Sequence, residues 1–547
     1  MKIALAQLNF RIGDVDGNAE KITEAISRAK LQNADLIVFS ELAVTGYYPH
    51  DLLEKKEFIE QAEATIRYIA GHCHGISALV GGPAINQSDR GKKLFNAAWF
   101  LTGGEVKDIF YKSLLPTYDV FDEYRHFEPN QDFRLLETAG RRIAVTICED
   151  IWDEQPTFTE FGKDKIYRIS PLKELNHLGP DLIINLSASP FSHNQESWRK
   201  DVLLRKSKLY GLPLVYVNQV GAHAELIFDG GSMVVSSSGE ITDELNYFDE
   251  DFRVVDLDEP AHSRVQPATE GIVKIHDALI LGIRDYFRKS GFTKAALGLS
   301  GGIDSAVVAV LAARALGPEN VRVLLMPSKY SSWHSVEDAE VLAKNLSIHY
   351  DIVHIQDAVD HVEEGMARIF RGTSPDVTEE NIQARIRGIY IMALSNKFGH
   401  IVLNTTNKSE CAVGYGTLYG DMNGGLSVLG DVYKGEVYAL ARLINRQGEI
   451  IPESSVVKPP SAELRPGQKD SDSLPEYDIL DKILYQYIEC NQSPEDIASS
   501  GFERLLVDKV IRLVNMNEYK RFQAAPVLRV TSKAFGFGRK MPLVARY

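Results

Sequence analysis

The run Gly298-Leu299-Ser300-Gly301-Gly302-Ile303-Asp304-Ser305 carries the residue types of an anion cradle. Its glycines let the backbone turn tightly and approach a ligand. A helix starting near Asp304 aims its first N–H groups and the positive end of its dipole at the same point. A pyrophosphate would sit there. The pattern is not GxxxxGK[ST], because no lysine follows the glycines. A second reactive group is Cys148, in Thr146-Ile147-Cys148-Glu149-Asp150, which follows an apolar strand and so lies at a strand end. A lone cysteine there is more often a buried, inert thiol. Two further segments bear on it: Phe39-Ser40-Glu41-Leu42 with Thr45-Gly46-Tyr47, also at a strand end, and Tyr111-Lys112-Ser113-Leu114-Leu115-Pro116-Thr117-Tyr118.

The elements that must position these residues are legible as short apolar runs. Up to about residue 257, strands are predicted at Lys2–Gln7, Ala34–Phe39, Ala78–Gly82, Arg142–Ile147, Asp181–Leu186 and Leu214–Val217, with helices at Asn18–Leu31 and Glu54–Tyr68. A polar stretch with Asp258-Glu259-Pro260 and Gln266-Pro267 then breaks periodicity. The expected organisation is therefore a domain over 1–257, a linker over 258–270 and a domain over 271–547. In the second half a helix over Ile272–Lys289 leads to a strand at Lys294–Leu299 that stops at the glycines. Further strands at Val321–Met326 and His400–Asn404 point to βαβ units around a parallel sheet.

Bulk properties narrow the class. With 547 residues, 44% of them hydrophobic and 25% charged, a multidomain globular protein is expected, and the strands and helices read above make its expected fold class α/β. No stretch approaches the roughly 20 apolar residues of a membrane span, and the N-terminus reads as a strand, so no membrane partner and a cytoplasmic location are expected. The four scattered cysteines form no CxxC pair. A net charge of −15 with no long basic run argues against a nucleic-acid partner.

The SGGIDS loop resembles that of the ATP pyrophosphatase superfamily, whose members release pyrophosphate and form adenylated intermediates. Beyond it the chain is similar to the NAD synthetase family. The matching stretches are Met326–Ser332, Asn381–Gly388, Asn404–Glu410, Gly420–Ser427 with Asp431-Val432-Tyr433-Lys434, and Lys520–Gln523. One departure is Gly435, where the pattern has threonine. The resemblance implies a doubly wound, Rossmann-like parallel sheet, with ATP against Gly298, Leu299, Ser300, Gly301, Gly302, Ile303, Asp304, Ser305 and Thr405. It further implies Mg²⁺ on Asp304 and Glu410, and a deamidated dinucleotide against Asn381, Glu410 and Lys520. The run Lys458-Pro459-Pro460-Ser461-Ala462-Glu463-Leu464 resembles the family's loop near the substrate.

The first half resembles the nitrilase superfamily, an αββα sandwich whose Glu, Lys and Cys triad falls here on Glu41, Lys112 and Cys148. That combination suits amide hydrolysis, because a thiol is a weak nucleophile until it becomes a thiolate. Glu41 takes the thiol proton and later gives one to departing ammonia. Lys112 supplies positive charge for the oxyanion and for the thiolate. A glutamyl thioester on Cys148 is then hydrolysed by water. Glu123 is a second carboxylate for the site. The resemblance places Tyr118, Ser189 and Gln195 near a bound glutamine. It expects a basic residue where Gln195 stands, with Arg199 as the substitute.

Together the resemblances imply an amidotransferase, assembled as a homo-oligomer. It would convert ATP, nicotinic acid adenine dinucleotide and glutamine into NAD, AMP, pyrophosphate and glutamate, with the ammonia channelled between sites. Two alternatives stand at this point: another adenylating glutamine amidotransferase, and a non-catalytic nucleotide sensor.

Overall fold

A computed structural model describes residues 1–153, 166–193, 195–259 and 264–545. The chain divides into two compact units, Met1–Ala268 and Thr269–Tyr547. Of the expected linker, residues 260–263 lie outside the described residues.

The first unit is built on two six-stranded sheets. One runs, in spatial order, through strands Asp251–Asp256, Lys2–Gln7, Leu36–Val38, Ser77–Ile85, Leu94–Thr102 and Glu105–Tyr111. The other runs through Ile241–Glu244, Met233–Val235, Leu214–Asn218, Leu182–Ser187, Arg141–Ile147 and Leu136–Thr138. Period-two alternation sends the two faces of each strand to different cores. Ile3 and Leu5 join Leu36, Val38 and Leu79 against Ile143, Val145, Ile184 and Leu186 of the other sheet. Ala4 and Ala6 face outward, where Ile22 and Ile26 of helix Val15–Leu31 and Ile66 of helix Lys56–Ala70 cover them. On the far side of the second sheet, Leu172, Leu175 and Leu203 from helices Pro171–His177 and Gln195–Tyr210 pack on Ile183, Leu214 and Met233. The layers are therefore α, β, β, α. Each fully buried aliphatic side chain in these cores contributes on the order of 1.5–3 kcal/mol.

The second unit centres on a parallel sheet ordered His349–Ile352, Val321–Leu325, Ala295–Gly298, Ile401–Asn404, Leu426–Ser427. Chain order reverses on either side of Ala295–Gly298, which makes its carboxyl end the switch point where such sheets bind ligands. Helix Val377–Phe398 lays Ile391 and Leu394 across Ala296, Leu324 and Val402. A helical cluster, with Leu480 and Leu484 of Tyr477–Ile488 against Val507 and Val510 of Arg504–Met516, completes the unit.

Candidate functional site

In the first unit, three strands end where chemistry begins. Leu36–Val38 runs out just before Glu41, Glu105–Tyr111 immediately before Lys112, and Arg141–Ile147 immediately before Cys148. The parallel register Ile147↔Leu186 puts the Ser187–Ser189 turn beside Cys148. Lys112 is fixed by its backbone too, its N–H donating to the Asn96 carbonyl at 2.8 Å.

The Lys112 ammonium donates to Glu41 Oε1 at 2.7 Å and to both oxygens of Glu123 at 2.8 and 2.9 Å. All three side chains are buried. Asn96 Nδ2 donates to Glu41 Oε1 at 2.7 Å, Ala188 N–H to Glu41 Oε2 at 3.2 Å, and the Tyr47 hydroxyl to Glu123 at 2.7 Å. One ammonium thus serves two carboxylates. Burial raises the Glu41 carboxyl to about 7, with Lys112 opposing that shift and the Glu123 charge adding to it. Burial alone would lower Lys112, but Glu123 and Glu41 outweigh it and hold the amine charged. Burial also pushes the Cys148 thiol well above its ordinary range; Glu41 adds to the effect and Lys112 opposes it. Cys148 is therefore held as a thiol, which attacks a carbonyl only once a base takes its proton, and the raised Glu41 carboxyl has the basicity for that task.

Cys148 has φ of 42°, a strained value for a residue with a side chain, and opens the 3₁₀ turn Cys148–Ile151. Asp150 holds that turn in place. Its carboxylate accepts from Ile147 N–H at 3.0 Å and, through the other oxygen, from Ser113 and Leu114 N–H at 3.0 and 2.8 Å. The nucleophile turn and the segment after Lys112 are thereby tied to one buried group. Asp150 and Tyr47 lie in segments that flank triad residues, which is the one signal the sequence holds for them, whereas Asn96 stands in strand Leu94–Thr102, away from every such segment, and the sequence holds no signal for it.

The Tyr118 hydroxyl donates to Glu149 at 2.8 Å, as does Tyr167. Ser189 N–H donates to Asn218 at 2.9 Å. Gln195 is half-buried at the start of helix Gln195–Tyr210. The Arg199 guanidinium is buried in a two-pronged pair with Asp229, at 3.0 and 2.7 Å. Its charge is already balanced there.

In the second unit, Gly298, Leu299, Ser300, Gly302, Ile303, Asp304, Ser305, Asn381, Thr405, Glu410 and Lys520 all line one cavity of about 460 Å³. Gly301 is not among the lining residues, and its role is in the turn. It adopts φ of +76°, and a Cβ there would come within 2.1 Å of the Ser335 carbonyl oxygen. Ser305 Oγ donates to the Gly302 carbonyl at 3.1 Å and so braces the turn. The whole run Lys458–Leu464 lines the same cavity. Asn381 accepts from Thr417 Oγ1 at 2.7 Å, while the Lys520 ammonium donates to the Gly414 and Gly416 carbonyls at 2.7 and 2.8 Å. Gly435 offers its N–H to Asp481 at 2.9 Å.

Asp304 and Glu410 share a cation. Lys434 Nζ lies 2.5 Å from Asp304 Oδ2 and 3.3 Å from Glu410 Oε1. The two carboxylates therefore converge on one positive centre, and a pair of carboxylates completed by substrate phosphates is the usual Mg²⁺ environment. The donor set fits that ion. Lys434 closes the matching run Asp431–Lys434, whose resemblance by itself implies no role for it; Arg387, which also lines the cavity, is lowered to about 10 by burial.

The family model for carbon-nitrogen hydrolases matches residues 2–264, and that for NAD synthase matches residues 275–524. A glutamine-dependent NAD(+) synthetase from Synechocystis sp. is 46% identical over 554 residues, covering 100% of this chain and 99% of its own. Its counterpart from Thermotoga maritima is 42% identical over 589 residues, covering 100% and 99%. The solved glutamine-dependent NAD+ synthetase of Acinetobacter baumannii, in complex with adenosine diphosphate, aligns with a TM-score of 0.78 at 40% identity, covering 99% of this chain and 98% of that one.

Proposed function

The chain belongs to the glutamine-dependent NAD(+) synthetase family, and from that membership we propose how its own residues divide the work. Glutamine is hydrolysed in the first unit. Glu41 takes the Cys148 proton as sulfur attacks the carboxamide carbon, and Lys112 faces the developing oxyanion. The C–N bond then breaks, Glu41 returns the proton to the departing amine, and water cleaves the thioester to glutamate. Tyr118, Ser189 and Gln195 line the approach of the glutamine.

ATP is bound in the second unit, its phosphates against the Gly298–Ser305 turn and its remainder beside Thr405. Asp304 and Glu410 would hold Mg²⁺, which would supply positive charge to offset that of the departing pyrophosphate. Asn381, Glu410 and Lys520 position nicotinic acid adenine dinucleotide so that its nicotinate carboxylate attacks the α-phosphorus. Ammonia displaces AMP from the resulting adenylate and leaves the amide of NAD. Sheltered transfer keeps the ammonia unprotonated, and so nucleophilic, on its way from one reaction to the other. Family membership also supports a homo-oligomer working in the cytoplasm.

One observation carries this reading: a single chain joins a buried Glu41–Lys112 pair beside a strand-end cysteine to a phosphate-type turn at a sheet switch point. The test is a coupled assay with glutamine as nitrogen donor, comparing nicotinic acid adenine dinucleotide with other carboxylates. NAD should form with stoichiometric AMP and glutamate. Preference for a different carboxylate, or ADP in place of AMP, would contradict the assignment.

A further inference from the structure

Residues His50–Glu54 form a 3₁₀ helix, in which side chains three apart eclipse one another, so Asp51 and Glu54 project together. Facing them is His126, which directly follows the short helix Glu123–Arg125. The ligand atoms of these three residues all lie within 4.8 Å of one another. His126 Nε2 is 3.6 Å from Asp51 Oδ1 and 3.6 Å from Glu54 Oε1. The imidazole is 6% exposed, yet Nε2 has no hydrogen-bond partner.

The other ring nitrogen fixes what Nε2 presents. Nδ1 lies 2.6 Å from the Tyr48 hydroxyl oxygen, and that hydroxyl sits 3.2 Å from the Asp122 carbonyl, which can only accept. With the Tyr48 hydrogen spent on Asp122, His126 Nδ1–H is the donor to Tyr48. In the neutral ring this leaves a lone pair on Nε2, pointed at two carboxylates. Three electron-rich atoms converge there, and a cation is what such an arrangement takes.

We propose that His126 Nε2, Asp51 and Glu54 form a binding site for a divalent transition-metal ion of the Zn²⁺ type, separate from both reaction centres. Bonds of about 2.0–2.2 Å to a tetrahedral Zn²⁺ set its ligands roughly 3.4 Å apart, close to the two 3.6 Å separations. An imidazole with two carboxylates selects zinc over magnesium, which prefers oxygen ligands throughout. The Nδ1–H bond to Tyr48 is the outer-shell contact that orients a metal-binding histidine. A competing cation is present: the Arg125 guanidinium lies 3.0 Å from Asp51 and 3.6 Å from Glu54. All three of those side chains are more than half exposed, and such pairs yield readily. The bound ion would staple the turn after Tyr47 and Tyr48 to the turn that carries Glu123.

The test is Zn²⁺ titration by calorimetry of the full chain, with Mg²⁺ in excess and in a Cys148→Ala background that removes the catalytic thiol as a ligand. One Zn²⁺ should bind per chain and raise the melting temperature. Adding Asp51→Asn with Glu54→Gln, both at exposed positions, should weaken that binding at least about tenfold and cancel the thermal shift. Arg125→Ala should tighten it. Zn²⁺ binding that is unchanged by the double substitution, or absent altogether, would overturn the proposal; so would weaker binding in Arg125→Ala.

Discussion

Lys112 Nζ donates to Glu41 Oε1 across 2.7 Å, and neither side chain reaches solvent. Because Glu123 competes for the same ammonium, Glu41 is left with a carboxyl raised to about 7 by burial, which is where a base working near neutrality belongs. Only the deprotonated form accepts the Cys148 proton. The kcat/KM for glutamine hydrolysis should therefore rise as pH increases through about 7 and level off above it. A profile that falls across that interval would show that Glu41 is not the base.

Removing the second carboxylate makes the sign testable from the other side. In Glu123→Gln, Lys112 is left to Glu41 alone and the neighbouring negative charge that raises Glu41 is gone. The rising limb of the glutamine profile should move to lower pH. A shift to higher pH would mean that Glu123 acts chiefly through Lys112.

Asp150 joins the nucleophile turn to the Lys112 segment through three backbone N–H groups. Asp150→Asn keeps the shape but turns one acceptor into a donor facing N–H groups, which costs roughly 1–3 kcal/mol. Displacing the thiol by about 1 Å should lower glutamine hydrolysis by about 10²-fold. Single-turnover rates with glutamine and steady-state rates with ammonium check this, since only the first should fall.

In the second unit, Gly301→Ala forces a side chain into φ of +76° and against the Ser335 carbonyl oxygen. Strain of this kind costs roughly 1–3 kcal/mol, and the turn must move to relieve it. The KM for ATP should rise with either nitrogen source. An unchanged KM would show that the turn does not form the phosphate site.

Asp304→Ala removes one of the two carboxylates that converge on Lys434. Synthesis should be lost with both glutamine and ammonium, and chelating Mg²⁺ from the unaltered chain should have the same effect. Ammonium-dependent synthesis retained in Asp304→Ala would move the metal elsewhere, and synthesis retained after chelation would show that no metal is required.

Much of this was legible in the sequence because strand ends were. The runs Lys2–Gln7 and Leu214–Val217 gave strands at or within one residue of the predicted bounds, and the chemistry-bearing residues sit just beyond such runs. The hairpin Leu94–Thr102 and Glu105–Tyr111 escaped notice. Leu94–Thr102 is buried on nearly its whole length, so no alternation marks it, and only Gly103-Gly104 announced the turn. The hidden strand carries Asn96, whose two carboxylate contacts organise the site. Asp150 and Tyr47 were equally unreadable, since their roles depend on segments over thirty and over seventy positions away. For Arg199, which the resemblance offers in place of a basic residue at Gln195, the buried pair with Asp229 depends on a partner 30 positions away.

The most direct test of the division of labour is Cys148→Ala assayed for NAD synthesis with each nitrogen source. Glutamine-supported synthesis should be abolished while ammonium-supported synthesis persists at a rate near that of the unaltered chain. Loss of both activities in a folded variant, or survival of both, would contradict the account.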